Sequence, residues 1–248
     1  MSDEQPVRLH CFAHSAGSVP AFGHWAAHTG PGVEVVPVAL PGAGRRPGTS
    51  AHEALLADVL PLFTGPQPGP YVLYGHGLGA LAALAVTRAL HEAALPGPAL
   101  LAVGACPPPR VPRELPDVAA ATDAELLHVL SAEGAVPPAS DEGILLRAVL
   151  PLLRADLELA QSLQEAARRP APAGGVPATA LLVITAAGSP PEPPALAGGR
   201  RQWTQGPVRT RTVPGRPFSV RGGRELPRLL GRACRVAARL VREPAPVG

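Results

Sequence analysis

The segment Gly75-His76-Gly77-Leu78-Gly79 follows an apolar run, Tyr71–Tyr74, and precedes an Ala/Leu-rich stretch, Ala80–Ala94. A strand, a glycine-rich turn and a helix in that order are the setting of a nucleophile elbow, Gly-X-Ser-X-Gly. There the central residue sits on a strained turn and the flanking glycines permit close approach. The helix N-terminus and the next backbone N–H stabilise an oxyanion. Position 77 has the right context but no hydroxyl. Glycines after a strand also form phosphate-binding turns. This set comes late in the sheet, lacks the P-loop lysine and misses the full dinucleotide spacing, so the elbow reading is preferred.

Other residue types with chemical potential are scattered. Cys11 falls in an apolar strand and reads as a small buried hydrophobe. Cys106 closes a strand at the edge of the sheet where α/β folds bind ligands, although core packing is the simpler reading. His24 and His28 are one helical turn apart, the spacing of a metal-binding pair. No acidic third ligand lies close in sequence, so a surface helix face is favoured and no metal is expected.

These groups need elements to position them. Val7–Phe12, Val33–Leu40, Tyr71–Tyr74, Leu100–Val103, Leu181–Thr185 and Val208–Val213 read as strands. Helix-length segments separate them, which implies βαβ units and a mostly parallel sheet flanked by helices. From about Asp117 to Ala167 apolar residues recur at helical spacing (Leu126, Leu127, Val129, Leu130; then Leu145, Leu146, Val149, Leu150, Leu153) with no strand between. This predicts an α/β core over 1–116 and 168–248, with a helical lid inserted at 117–167. Leu226–Val241 reads as a closing amphipathic helix.

The composition bounds the partners. The chain has 248 residues and a formal net charge of +3, and it is 46% hydrophobic, which suits one domain with a sizeable core. All its basic side chains are arginine. They concentrate from Arg200 to Arg242, with only Trp203 and Phe218 as aromatics there, so a solvated surface is preferred to a nucleic-acid interface. Cys11, Cys106 and Cys234 are far apart and odd in number, which argues against a disulfide framework and fits a reducing cytoplasm. The polar start MSDEQPVR is unlike a signal peptide, and no apolar run approaches the length of a membrane span.

Several stretches taken in order resemble the type II thioesterases that serve polyketide and nonribosomal-peptide assembly lines, enzymes of the α/β-hydrolase fold. Leu9–Ser18 (LHCFAHSAGS) looks like the first strand and oxyanion loop. Leu40–Arg46 (LPGAGRR) follows the second strand, Tyr74–Ala80 (YGHGLGA) is the elbow, and Leu153–Leu157 (LRADL) falls in the lid helix. Trp203 and Val213-Pro214-Gly215 fit the C-terminal part. The resemblance implies an acyl or polyketide substrate, free or on an acyl or peptidyl carrier protein, and no cofactor.

The departures are specific. The catalytic serine of the family falls at Gly77. Its histidine falls at Pro217, within Pro214-Gly215-Arg216-Pro217-Phe218, and no histidine follows His128. Glu192, before Pro193, takes the place of the acid. The resemblance makes the backbone N–H groups of Ser15 or Ala16 and of Leu78 the oxyanion donors, and makes His76 a structural residue of the elbow. His14, in the oxyanion loop, is the best remaining general acid or base, because a histidine titrates near neutrality. Asp156, in Arg154-Ala155-Asp156, reads as a lid-helix carboxylate paired with an arginine. A pocket with donors and no nucleophile forms no acyl-enzyme. It can still stabilise an enolate or alkoxide, which suits cyclisation, elimination, isomerisation or decarboxylation. The rivals are a non-catalytic scaffold that docks to a carrier protein or synthase, and a residual editing thioesterase acting through bound water.

Overall fold

The structure is a computed structural model that describes residues 5–13, 22–41, 48–65, 67, 69–106, 108, 118, 120–126, 142–169, 175–188, 199–215 and 223–242, with backbone only at 142–149 and 242. Six strands form one sheet: β1 (Val7–Phe12), β2 (Val33–Val38), β3 (Tyr71–His76), β4 (Leu100–Gly104), β5 (Ala180–Ala186) and β6 (Val208–Val213). Their order is β2-β1-β3-β4-β5-β6, and all five neighbouring pairs are parallel. Parallel strands are covered on both faces, so the central ones are apolar without alternation. Every residue of β3 and of β4 is buried accordingly.

Helices α1 (Ala26–Thr29), α2 (Ala51–Val59), α3 (Pro61–Thr64), α4 (Leu78–Glu92), α5 (Glu142–Arg168) and α6 (Glu225–Arg242) surround the sheet, with a 3-10 turn at Arg200–Gln202. α4 packs on β3 and β1 and is crossed by α5, which also contacts α2. α6 lays Leu226, Leu230, Cys234 and Ala238 into the core, the spacing of one helical face. A second, small apolar cluster of Val118, Leu126 and Leu157 lies against α5.

The expected α/β-hydrolase sheet is present. Boundaries differ where turn chemistry acts. β2 ends at Val38, two residues before the expected Leu40, and α4 begins at Leu78 directly after the turn at Gly77. α2 and α3 go beyond the elements expected from the sequence. α2 nevertheless carries a local signal. The Ser50 side chain accepts from the Glu53 N–H, while the Glu53 carboxylate accepts from the Ser50 N–H at 2.9 Å, a capping box written as Ser-X-X-Glu. Within the segment expected to be a lid, one 27-residue helix, α5, contains Pro151.

The strand order decides where a site can form. The chain leaves β1 for β2 on one side and returns to β3 on the other. The C-terminal ends of β1 and β3 therefore border the crevice at which open α/β sheets bind ligands. Phe12, at the end of β1, pairs with Gly75 near the end of β3.

Candidate active site

Gly77 stands between β3 and α4 with φ 57° and ψ −117°. This is the left-handed half of conformational space, where a Cβ is penalised and glycine is not. The two flanking glycines are required for a different reason. A Cβ on Gly75 would overlap the backbone carbonyl of Gly79. One on Gly79 would come within 2.5 Å of the Ala13 carbonyl oxygen and 2.6 Å of that of Phe12. The first turn of α4 thus sits directly against the end of β1, and Gly75 and Gly79 are the residues that let it do so. By contrast a Cβ on Gly77 would meet nothing within 4 Å among the described residues. The turn points position 77 away from every described neighbour.

Backbone hydrogen bonds hold that turn. The Gly77 N–H donates to the Gly104 carbonyl at 2.9 Å, and the N–H groups of Ala80 and Leu81 donate to the Gly77 carbonyl at 3.1 and 3.3 Å. The first N–H groups of a helix have no acceptor in their own helix. Here these are Leu78 and Gly79, and the helix dipole adds partial positive charge at the same end. An anion or developing oxyanion beside Gly77 would meet donors already in place.

His76 ends β3, opposite Gly104 of β4. It is buried, and its ring lies so close over Gly104 that a Cβ there would be 2.5 Å from Nδ1. The ring fills space above β4. Cys106 is buried just past β4, and its carbonyl accepts from Arg200 Nη1 at 3.2 Å. The Arg200 guanidinium also lies over the Trp203 ring at 5.8 Å, tying the 3-10 turn to the end of β4. Cys11 is fully buried, and burial pushes its thiol well above the usual range, the opposite of an activated nucleophile. The rings of His24 and His28 are 6.2 Å apart. Among the described residues no three His, Cys, Asp or Glu side chains gather as a metal site.

The structure therefore brings His76, Gly77 and Leu78 together at the switch-point crevice. His14, Ser15, Ala16, Glu192 and Pro217 lie outside the described residues. Ala13, the last described residue before the His14 loop, is with Phe12 one of the two whose carbonyls abut Gly79. Arg154 of the Arg-Ala-Asp motif donates to Asp123 at 2.7 Å and to the carbonyls of Val118 and Ala121, fastening α5 to the segment before it. A crevice of about 330 Å³ runs beside α4, lined by Leu81, Leu84, Leu163 and Trp203 with Arg88 and His52. Leu81 is one turn of α4 beyond Gly77.

Comparison with known proteins agrees with this geometry. A family model described as thioesterase domain matches residues 7–234. The chain is similar to RedJ, a thioesterase from the prodiginine biosynthetic pathway in Streptomyces coelicolor. It is 30% identical to that structure, with a TM-score of 0.70, covering 93% of this chain and 90% of RedJ. A RedJ structure with a PEG molecule bound in the active site gives 29% identity, a TM-score of 0.72, and coverage of 93% and 91%. YbtT, a type II thioesterase from the yersiniabactin NRPS/PKS biosynthetic pathway, is 25% identical with a TM-score of 0.72 over 96% of each chain. Among curated proteins there is no match. The elbow at Gly77 is thus set in the sheet and helices of a known fold, and the chain belongs to the thioesterase domain family.

Proposed function

We propose that this protein binds an acyl or polyketide intermediate of a natural-product pathway and acts on it without forming an acyl-enzyme. The intermediate would be free or held on an acyl or peptidyl carrier protein. The observation that carries the reading is position 77, where the elbow backbone is kept at φ 57° and ψ −117° while the residue itself is glycine. Glycine adopts this conformation without penalty, so what is kept is the strand–turn–helix frame and its backbone donors rather than a strained side chain. Gly75 and Gly79 let that frame close.

Magnitudes separate the readings. In serine hydrolases the loss of the triad removes about 10⁶ in rate, while oxyanion donors and binding leave about 10³–10⁴ over water. With glycine at 77 and proline at 217 the covalent route has neither nucleophile nor base. The Leu78 N–H still serves a developing enolate or alkoxide, joined by Ser15 or Ala16 from the first loop. His14 and Glu192 are the proton-transfer groups of this scheme. It supports cyclisation, elimination, isomerisation or decarboxylation beneath a lid formed over 117–167. The natural-product pathways to which RedJ and YbtT belong support the substrate class.

The test is incubation with a panel of acyl-pantetheine thioesters, followed by intact-protein mass spectrometry and product analysis. The expected result is saturable binding, no acyl adduct, and a rearranged product. An adduct on Ser15 or a cysteine would overturn the non-covalent mechanism. Recovery of unchanged thioester from a tight complex would instead support a carrier-docking scaffold. Free acid as sole product would support residual editing.

A further inference from the structure

The C-terminal helix α6 carries two apolar stripes; the second is packed against the core at Leu229 and Ala233 and leaves it at Val236 and Leu240. Leu226, Leu230, Cys234 and Ala238 are buried against the sheet. Beside them, Leu229, Ala233, Val236 and Leu240 form a second stripe with steps of four, three and four residues. That is the heptad spacing of a helix–helix seam. Val236 and Leu240 are 55% and 71% exposed, and with Val241 they make three of the five exposed large apolar side chains described. The stripe lines a trough of about 960 Å³ together with the N-terminal ends of β4 and β5 and with Arg209 and Arg211 of β6. Gly77 lies at the C-terminal end of its strand, so this trough is at the opposite end of the sheet from the candidate active site.

The described charges beside Val236 and Leu240 have one sign. Taking Val236 as a d position makes Leu240 an a position and puts Arg232 and Arg239 at g positions, the remaining g position, Glu225 at the helix start, being paired with Arg228. Arg232 and Arg239 are exposed. Arg209 and Arg211 alternate with threonine on the edge strand, so they share one face of it. Among the described residues no ion pair engages any of these four arginines. From these observations we infer that the trough is a docking site for an acidic amphipathic helix of another protein. Its apolar stripe would lie on Val236 and Leu240, with its carboxylates facing Arg232 and Arg239 on one side and Arg209 and Arg211 on the other. The inference is independent of the reaction proposed at Gly77.

Two other occupants fit less well. In an antiparallel pair of α6 helices the g positions face each other, so a second copy would set arginine against arginine. A flat anionic bilayer would reach the exposed Leu240 but not the buried Leu181 and Leu182 that line the same trough, whereas a single helix, about 10 Å across, is narrow enough to enter a groove.

The experiment uses the full chain and two fluorescent 21-residue helical peptides with the same leucine stripe, one flanked by glutamate and one by lysine. Anisotropy titrations should show saturable binding of the glutamate peptide, at least about tenfold weaker binding of the lysine peptide, and weakening with salt. Leu240→Ser should reduce affinity by about tenfold. The double reversal Arg232→Glu with Arg239→Glu should exchange the two peptide preferences. Circular dichroism of each variant checks that the fold is kept. Equal affinity for both peptides, or unchanged preference in the double reversal, would overturn the proposal. So would phosphatidylglycerol vesicles binding in place of the glutamate peptide, or concentration-dependent dimers that Leu240→Ser abolishes.

Discussion

The backbone N–H of Gly77 donates to the carbonyl of Gly104 at 2.9 Å, so the elbow is tied to the neighbouring strand at the residue where its chain turns. The His76 ring covers the same Gly104 from above. The turn is held by β4 and by the end of β1 together, and neither hold depends on what side chain position 77 carries. That independence means the elbow frame can form with glycine at its centre.

Gly77→Ser is therefore expected to fold. The side chain meets no described residue, but φ 57° with ψ −117° costs an L-residue about 1–3 kcal/mol. A domain of this size should lose about 2–4 °C in Tm per kcal/mol, readable by scanning calorimetry, and Gly77→Ala should lose a similar amount. On the proposed function, thioester hydrolysis should stay at background in Gly77→Ser alone, because Pro217 stands at the position that the family resemblance assigns to the histidine. It should rise only when Pro217→His is added. A full serine-enzyme rate from the single variant would mean that another group serves as base.

Gly75→Ala and Gly79→Ala should behave differently from any change at position 77. Each methyl would strike backbone, the Gly79 carbonyl in one case and the Phe12 and Ala13 carbonyls in the other. Backbone cannot rotate away as a side chain can, so the β1–β3–α4 junction must open. We expect losses above about 3 kcal/mol or failure to fold. A urea midpoint within error of the parent would refute the close approach.

Arg88 of α4 should prove to be the fastening of the far end of α5. Its Nη1 donates to the carbonyls of Ala166 and Arg169, both at 3.3 Å, and its Nε pairs with Glu92 at 2.8 Å. The last carbonyls of a helix lack partners of their own, and a cation there is favourable. The side chain is partly exposed, so the expected cost of Arg88→Ala is modest, about 1–2 kcal/mol. The diagnostic readout is hydrogen exchange, which should rise in the last turns of α5 and not in α6. Arg228→Ala, which removes the exposed pair with Glu225, should change little.

Legibility in the sequence follows from how local each signal is. The sheet is legible because buried parallel strands are apolar at consecutive positions, as in Val72 to Tyr74. The elbow is legible because three glycines in five residues, set between a strand and a helix, mark a tight turn with close backbone approach. α2 is faint although Ser50 and Glu53 spell a capping box, since its own apolar residues, Leu55, Leu56 and Val59, are sparse. The second stripe of α6 is hidden because the helix reads as simply amphipathic. Only its placement against the sheet separates Leu230, which is buried, from Leu240, which is not. The contact of Gly79 with Ala13 joins residues far apart in sequence, and no periodicity encodes it.

His10 supplies the clearest pH prediction. It lies in β1, 4% exposed, packed against Phe63 at 4.9 Å and Tyr71 at 5.8 Å. Neither ring nitrogen has a hydrogen-bond partner among the described residues. Burial, with Arg8 adding to it, lowers its pKa from 6.5 to about 4. In the unfolded chain the imidazole takes up a proton near pH 6.5, whereas in the folded protein it resists until about pH 4. Above 6.5 the group is neutral in both states and stability is full. Between 6.5 and 4 the unfolded state binds more protons, so stability falls as pH falls, and below about 4 the loss levels off. The total is about 3 kcal/mol. Urea unfolding at pH 7.5 and pH 4.5 should show this loss in the parent and a clearly smaller one in His10→Leu. His52, whose pKa burial also lowers, and the carboxylates remain in both proteins, so the difference between their slopes isolates His10. Parallel pH profiles would show that the buried ring is not what makes the fold sensitive to acid.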